Sequence, residues 1–156
     1  MRIGSIGHDS KLVLLIEDNE DDERLMRMAL RRQNIINEIV VAYDGQEALD
    51  YLDGDGAHTG RDTSVLPMVI FVDLKIPKVS GVEVIRRLRA NPKTRRIPVI
   101  VLTGMSDPES IAECYEAGAN SYVVKPTDAG DFSDMVLQLG MYWLLLNRPS
   151  PDRVTA

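Results

Sequence analysis

Val69-Ile70-Phe71-Val72-Asp73 decides the fold: four apolar residues in succession, then a carboxylate. An unbroken apolar run of this length is the pattern of a strand buried on both faces. An acid at its end is expensive to desolvate without a partner, so it marks a place where chemistry is done. Leu74-Lys75-Ile76-Pro77-Lys78 and then Ser80-Gly81 lead away from it through a loop.

Three other runs end in residues that suit that acid. Leu12–Ile16 ends in Glu17-Asp18, Val99–Leu102 in Thr103-Gly104, and Tyr122–Val124 in Lys125-Pro126. A pair of acids, a lone acid, a hydroxyl and a lysine together suit a divalent metal and a phosphoryl group.

Helical patterns separate the strands. Glu17 to Glu23 is acidic except for Asn19; its later acids open a helix to about Asn34, with Leu25, Met28, Ala29 and Arg32 at helical spacing. Glu38–Tyr43 reads as a strand, and Asp44 caps a helix with Ala48, Leu49 and Leu52 inward. Gly54 to Leu66 is a long polar loop. Val82 to Ala90 is a helix with Val84, Ile85 and Leu88 inward, stopped by Asn91-Pro92. After the strand Pro98–Thr103, Asp107-Pro108-Glu109 starts a helix that Gly118 closes. Asn120–Val124 is the fifth strand, and the last helix runs from Asp128 to Asn147. Strands alternating with helices imply a doubly wound α/β sheet of five parallel strands, with ligands beyond the strands' carboxyl ends. Every unusual polar residue above lies at such an end. Residues 1–10 read as a flexible tail, 11–147 as one domain and 148–156 as a second tail.

Composition agrees. The 156 residues carry a net charge of −6, which argues against non-specific nucleic-acid binding. One cysteine, Cys114, excludes an internal disulfide and suits a reducing compartment. With no signal peptide and no uncharged run of membrane-spanning length, a cytoplasmic protein is expected.

Taken together, Glu17-Asp18, Asp73, Thr103, Tyr122 and Lys125-Pro126, with Pro77-Lys78-Val79-Ser80-Gly81, closely resemble the receiver domain of two-component response regulators. The likeness spans about residues 11–147 and implies a flavodoxin-like receiver fold of strand order 2-1-3-4-5. It implies that Asp73 accepts a phosphoryl group from a sensor histidine kinase, and that the protein is a signalling phosphoacceptor rather than an enzyme with an external substrate. Three carboxylates in one pocket repel, and Mg2+ relieves that repulsion while keeping several waters. Asp18 and Asp73 are the expected direct ligands, with Glu17 direct or through water. The resemblance adds the backbone carbonyl of Lys75. Lys125 neutralises the phosphoryl oxygens, Thr103 donates its hydroxyl, and Thr103 and Tyr122 form the switch that the family uses. By the same resemblance, Lys75 and Met105 line the water path to the phosphate. One departure is Glu17, where the family commonly has Asp. The loop from Gly54 to Leu66 and the aromatic last helix look like the single-domain regulators paired with phytochrome-type kinases, and no effector domain is expected after Asn147.

Blander readings apply elsewhere. Glu20 to Glu23 read as a solvated helix start. Arg86, Arg87, Arg89, Lys93, Arg95 and Arg96 read as a solvated basic face first and a docking surface second. His8 and His58 have no partners at metal-ligand spacing. From Met135 to Leu146 only Gln138 and Gly140 are not apolar, so one helix face needs a second cover. A homodimer through Met141, Tyr142, Trp143 and Leu145 is the expectation. Three competitors remain. A haloacid-dehalogenase-type phosphatase would carry a second acid where Lys75 stands. A nucleotide module would carry a phosphate loop that this chain lacks. A phosphorylation-independent pseudo-receiver would not need the intact site.

Overall fold

The computed structural model describes residues 11–32, 34 and 38–151. The expected tail at 1–10 lies outside the described residues, as does most of the tail at 148–156. Five strands form one sheet: β1 (Leu12–Ile16), β2 (Glu38–Ala42), β3 (Val69–Val72), β4 (Val99–Thr103) and β5 (Ser121–Val124). All pairings are parallel, in the order β2-β1-β3-β4-β5, as expected. Between them run α1 (Glu20–Arg31), α2 (Gly45–Asp53), α3 (Gly81–Ala90) and α4 (Pro108–Ala117), and α5 (Ala129–Gly140) follows β5.

Period-two alternation along the central strands feeds two cores. Leu14, Ile16, Ile70, Val72, Val99 and Val101 pack under α2 and α3 on one face. Val13, Leu15, Val69, Phe71, Ile100 and Leu102 pack under α1 and α5 on the other. Each fully buried aliphatic side chain contributes roughly 1.5–3 kcal/mol. The sheet therefore fixes the height at which every strand ends.

Each helix opens on a capping side chain. Asn19, Asp44, Ser80, Asp107 and Asp128 accept from the backbone N–H three residues on. Gly118 ends α4 at φ 115°, the left-handed cap read from the sequence.

The inward face of α1 differs from expectation. Met26, Ala29 and Leu30 are buried, Leu25 is half-buried, and Met28 and Arg32 are exposed. The buried face of the helix Glu20–Arg31 is therefore turned by about one residue from the sequence reading, because Met26 rather than the equally apolar Met28 packs on the sheet. The long loop holds a 3₁₀ turn at Gly56–His58 and is folded back on α2. His58 stacks edge-on against Tyr51, with centroids 5.2 Å apart, and the Arg61 guanidinium lies 3.9 Å from the Tyr51 ring centroid.

The last helix also departs from the regular form. Beyond Gly140 it widens into a π turn, Met141–Leu146, closed by the Asn147 N–H donating to Tyr142 O. This turn sends Leu144 into the core, where its carbonyl accepts from Lys11 Nζ at 3.1 Å.

Gly81 sits where α3 meets the loop after β3. A Cβ there would lie 2.5 Å from the Asp73 carbonyl oxygen and 2.9 Å from Leu74 Cα. Gly81→Ala should therefore cost about 1–3 kcal/mol in chemical denaturation, because backbone rather than a flexible side chain must give way.

Candidate functional site

Strand register assembles the site. Ile16 pairs with both Ala42 and Val72, so Glu17 and Asp73 emerge side by side. Val72 pairs with Val101, and Thr103 pairs with Val124, which brings Lys125 out next to them. Side chains from four parts of the chain thus reach one rim.

Lys125 lies at the centre. Its Nζ donates to Glu17 Oε2 at 2.6 Å, Asp73 Oδ2 at 2.8 Å and Asp22 Oδ2 at 2.8 Å. Burial pushes the ammonium towards neutrality, but the bonds to Asp22, Asp73 and Glu17 override it and hold the proton on more tightly than usual. Glu17 shows the opposite side of this arrangement. Burial pushes its pKa up to about 7, against the lowering effect of Lys125 and with the help of Asp73. The two directions conflict only on the surface: the ammonium has three carboxylates, whereas each carboxylate has a share of one ammonium. Glu17, the most buried of the three, is the one whose charge is least offset.

A second set of contacts links Lys125 to the loop after β4. The Lys125 N–H donates to Thr103 O at 2.7 Å, and Thr103 is buried. Thr103 Oγ1 accepts from the Met105 N–H at 3.4 Å, and Tyr122 Oη donates to Met105 O at 2.7 Å. The Tyr122 phenol is half-buried, and its pKa is raised chiefly by burial, so it stays protonated. The Lys75 N–H donates to Asp73 Oδ1 at 3.4 Å, with the Lys75 side chain exposed. Asp18 is exposed at the rim, with no hydrogen bond or ion pair to another described residue.

Among the described residues, no three carboxylate, imidazole or thiol groups form a ready metal cluster. The donors fit a hydrated divalent cation nonetheless. Mg2+ takes one or two carboxylates and keeps several waters, and the site carries three carboxylates against one ammonium.

Asp22 is the residue that sequence reading missed. Taken as part of a solvated helix start, it is instead a partner of Lys125. The signal was present: Asp22 precedes Met26, Ala29 and Leu30 by four, seven and eight residues, which puts it on the buried face of α1. Asp22→Asn should speed phosphorylation by a small phosphodonor about two- to fivefold, because it frees the ammonium and removes a repelling charge, worth up to about 1 kcal/mol. Rates from intact-mass kinetics would check this.

Known proteins share this sequence pattern and fold. The family model for the response regulator receiver domain matches residues 13–137. Response regulator Rcp1 of Synechocystis sp. is 34% identical over 134 residues, 86% of this chain and 89% of Rcp1. The Mn(2+)-bound form of Rcp1 superposes with a TM-score of 0.83, at 31% identity over 90% of this chain and 99% of that one. The phosphorylated cyanobacterial phytochrome response regulator RcpA also gives 0.83, at 31% identity over 89% and 97%. The bacteriophytochrome response regulator RtBRR is 40% identical, with a TM-score of 0.70, over 94% of this chain and 87% of its own. The chain belongs to the response regulator receiver family. Within it, the chain is related to the phytochrome-associated regulators.

Among the described residues, no helix is long and apolar enough to cross a membrane.

Proposed function

We propose that this protein accepts a phosphoryl group on Asp73 from the phosphohistidine of a sensor kinase of the phytochrome type, in a Mg2+-dependent cytoplasmic reaction. The supporting observation is the Lys125 ammonium, 2.8 Å from Asp73 Oδ2 inside a surplus of carboxylate. An Asp73 oxygen attacks phosphorus, the N–P bond breaks, and the kinase imidazole leaves with a proton from solvent. Lys125 turns from its resting partners to the new phosphoryl oxygens. Asp18, Asp73 and the Lys75 carbonyl, with Glu17 directly or through water, would hold Mg2+, which supplies positive charge for the equatorial oxygens. Thr103 donates its hydroxyl to one of these oxygens. Its movement carries the Met105 carbonyl, and with it the Tyr122 hydroxyl that this carbonyl now holds. The test is mass mapping after incubation with kinase or a small phosphodonor and Mg2+. The expected result is one acid-stable, base-labile phosphoryl group on the peptide containing Asp73, absent in Asp73→Asn. Equal labelling of that variant would refute the assignment. Full output from a protein that takes no label would favour the pseudo-receiver.

A homodimer is part of the proposal. Met141, Tyr142, Leu145 and Leu146 are 51%, 50%, 44% and 69% exposed, an apolar strip on the π turn. Trp143 is not on that strip: it is half-buried against the core, because the wider turn rotates it inward with Leu144. Leu145→Glu with Leu146→Glu should convert a sedimenting dimer to monomer with an unchanged thermal midpoint. A wild-type monomer at high micromolar concentration would remove this element.

A further inference from the structure

Arg89 carries a charge that the phosphorylation chemistry does not use. Its guanidinium donates to Gly118 O at 2.9 Å, Arg95 O at 2.9 Å, Ile97 O at 2.8 Å and Asn120 Oδ1 at 2.7 Å. All four acceptors are neutral. Arg89 is half-buried, and burial lowers its pKa, with no carboxylate acting against that. The expected solvated basic face is therefore wrong at this position. Arg24, Arg27, Arg86 and Arg87 have carboxylate partners, but Arg89 holds the turn before β5 and the entry to β4 with no carboxylate partner among the described residues.

This cation is in the wall of a cleft of about 420 Å³ at the amino ends of β4 and β5, the pole opposite Asp73. Arg95 and Arg148 stand at the same cleft, both exposed, with guanidinium groups that make no hydrogen bond or ion pair to described residues. Trp143 supplies an aromatic wall, and Asn147 and Ser150 add neutral polar groups. No aspartate or glutamate is among the described residues lining it. On a chain of net charge −6, a cleft with only positive charges among its described walls is a local reversal of sign. Desolvated guanidinium favours phosphate and carboxylate oxygens, free guanidinium forks grip them in pairs, and an indole face takes a planar ring. The volume is in the range of small-ligand sites.

We propose that this cleft binds a phosphate-bearing anion with a planar ring, of nucleotide size, on Arg89, Arg95, Arg148 and Trp143. The proposal is independent of the phosphorylation assignment, since the two sites lie at opposite ends of the strands.

Trp143 is the single tryptophan of the chain, so its emission reports on the cleft directly. Full-length protein, excited at the red edge of indole absorption with EDTA present, would be titrated with guanosine monophosphate at constant ionic strength. Saturable quenching with a half-point below about 1 mM is expected, with no saturation by neutral guanosine. Arg95→Ala with Arg148→Ala, both at exposed positions, should weaken the half-point at least tenfold. Asp73→Asn should leave it unchanged. Absence of saturation, an equal response to sodium sulfate, an unmoved half-point in the double variant, or loss of the response in Asp73→Asn would each overturn the proposal.

Discussion

Replacing Lys125 with methionine should lower the stability of the metal-free protein by about 3 kcal/mol at pH 8 and slow phosphoryl acceptance at Asp73 by roughly 10²–10³. Methionine keeps the length and packing of the stem, so the loss isolates the ammonium. Without it, Glu17, Asp22 and Asp73 face one another with side-chain exposures of 4%, 28% and 13%, and breaking a buried pair leaves charge that neither water nor protein neutralises. The penalty has a ceiling. Glu17, already at about 7, takes up a proton and removes one of the three charges. The deficit should therefore be smaller at pH 6 than at pH 8, and Mg2+ should recover part of it by mass action. Urea melts at the two pH values, with and without Mg2+, give the stability limb, and intact-mass kinetics give the rate. A variant as stable as the wild type at pH 8 would mean that the ammonium does not hold the carboxylates together. Unchanged kinetics would mean that it does not act on the phosphoryl group.

The sequence made the strand ends legible because each combines two strong signals, an apolar run and a polar residue that such a run rarely tolerates. Asp73, Glu17 and Lys125 therefore meet in space as expected, and the sheet order followed from the alternation of elements. Partners contributed from outside the strands were harder to see. Asp22 is one acid among six in a short run, and only helix phase distinguishes it. Phase was misjudged on α1 because Met28 is as apolar as Met26, although it is 51% exposed. Arg89 is hidden for the same reason, as one cation in a basic stretch. Its distinction is tertiary: the left-handed Gly118 turn brings one carbonyl to it, the segment before β4 brings those of Arg95 and Ile97, and a Cβ on Gly118 would lie 2.6 Å from Arg89 Cγ. The π turn at Met141–Leu146 has no sequence mark beyond an all-apolar run. Such a run calls for cover on more than one side and does not say which residues face the core: Leu144 is buried, whereas Met141, Tyr142, Leu145 and Leu146 are exposed.

Glu17→Gln should stabilise the metal-free protein above neutral pH while impairing its reaction. In the wild type, Glu17 has an ordinary pKa of 4.5 unfolded and about 7 folded, raised first by burial. The folded state therefore holds the extra proton between those values. The stabilisation is complete below about 4.5 and is lost as pH rises through about 7. A shift of this size corresponds to at most about 3 kcal/mol, and the 4% exposure of the side chain leaves little solvent screening to reduce it. Glutamine keeps the shape and the acceptor oxygen for the Asn19 N–H, at 3.1 Å in the wild type, gives up the acceptor that Glu17 Oε2 offers Lys125 while Asp22 and Asp73 still hold the ammonium, and cannot ionise. Its stability should stay flat across that window, matching the wild type near pH 4.5 and exceeding it by about 1–3 kcal/mol at pH 8. Mg2+ should then separate the two proteins in the opposite sense. A divalent cation favours the ionised carboxylate, so wild-type binding near pH 6.5 should release protons into a weakly buffered solution, and the variant should release fewer and bind more weakly. Calorimetric titration in buffers of different ionisation enthalpy measures that release. If the variant released as many protons as the wild type, the titrating group would be another carboxylate, and the buried charge at the end of β1 would not be what the cation stabilises.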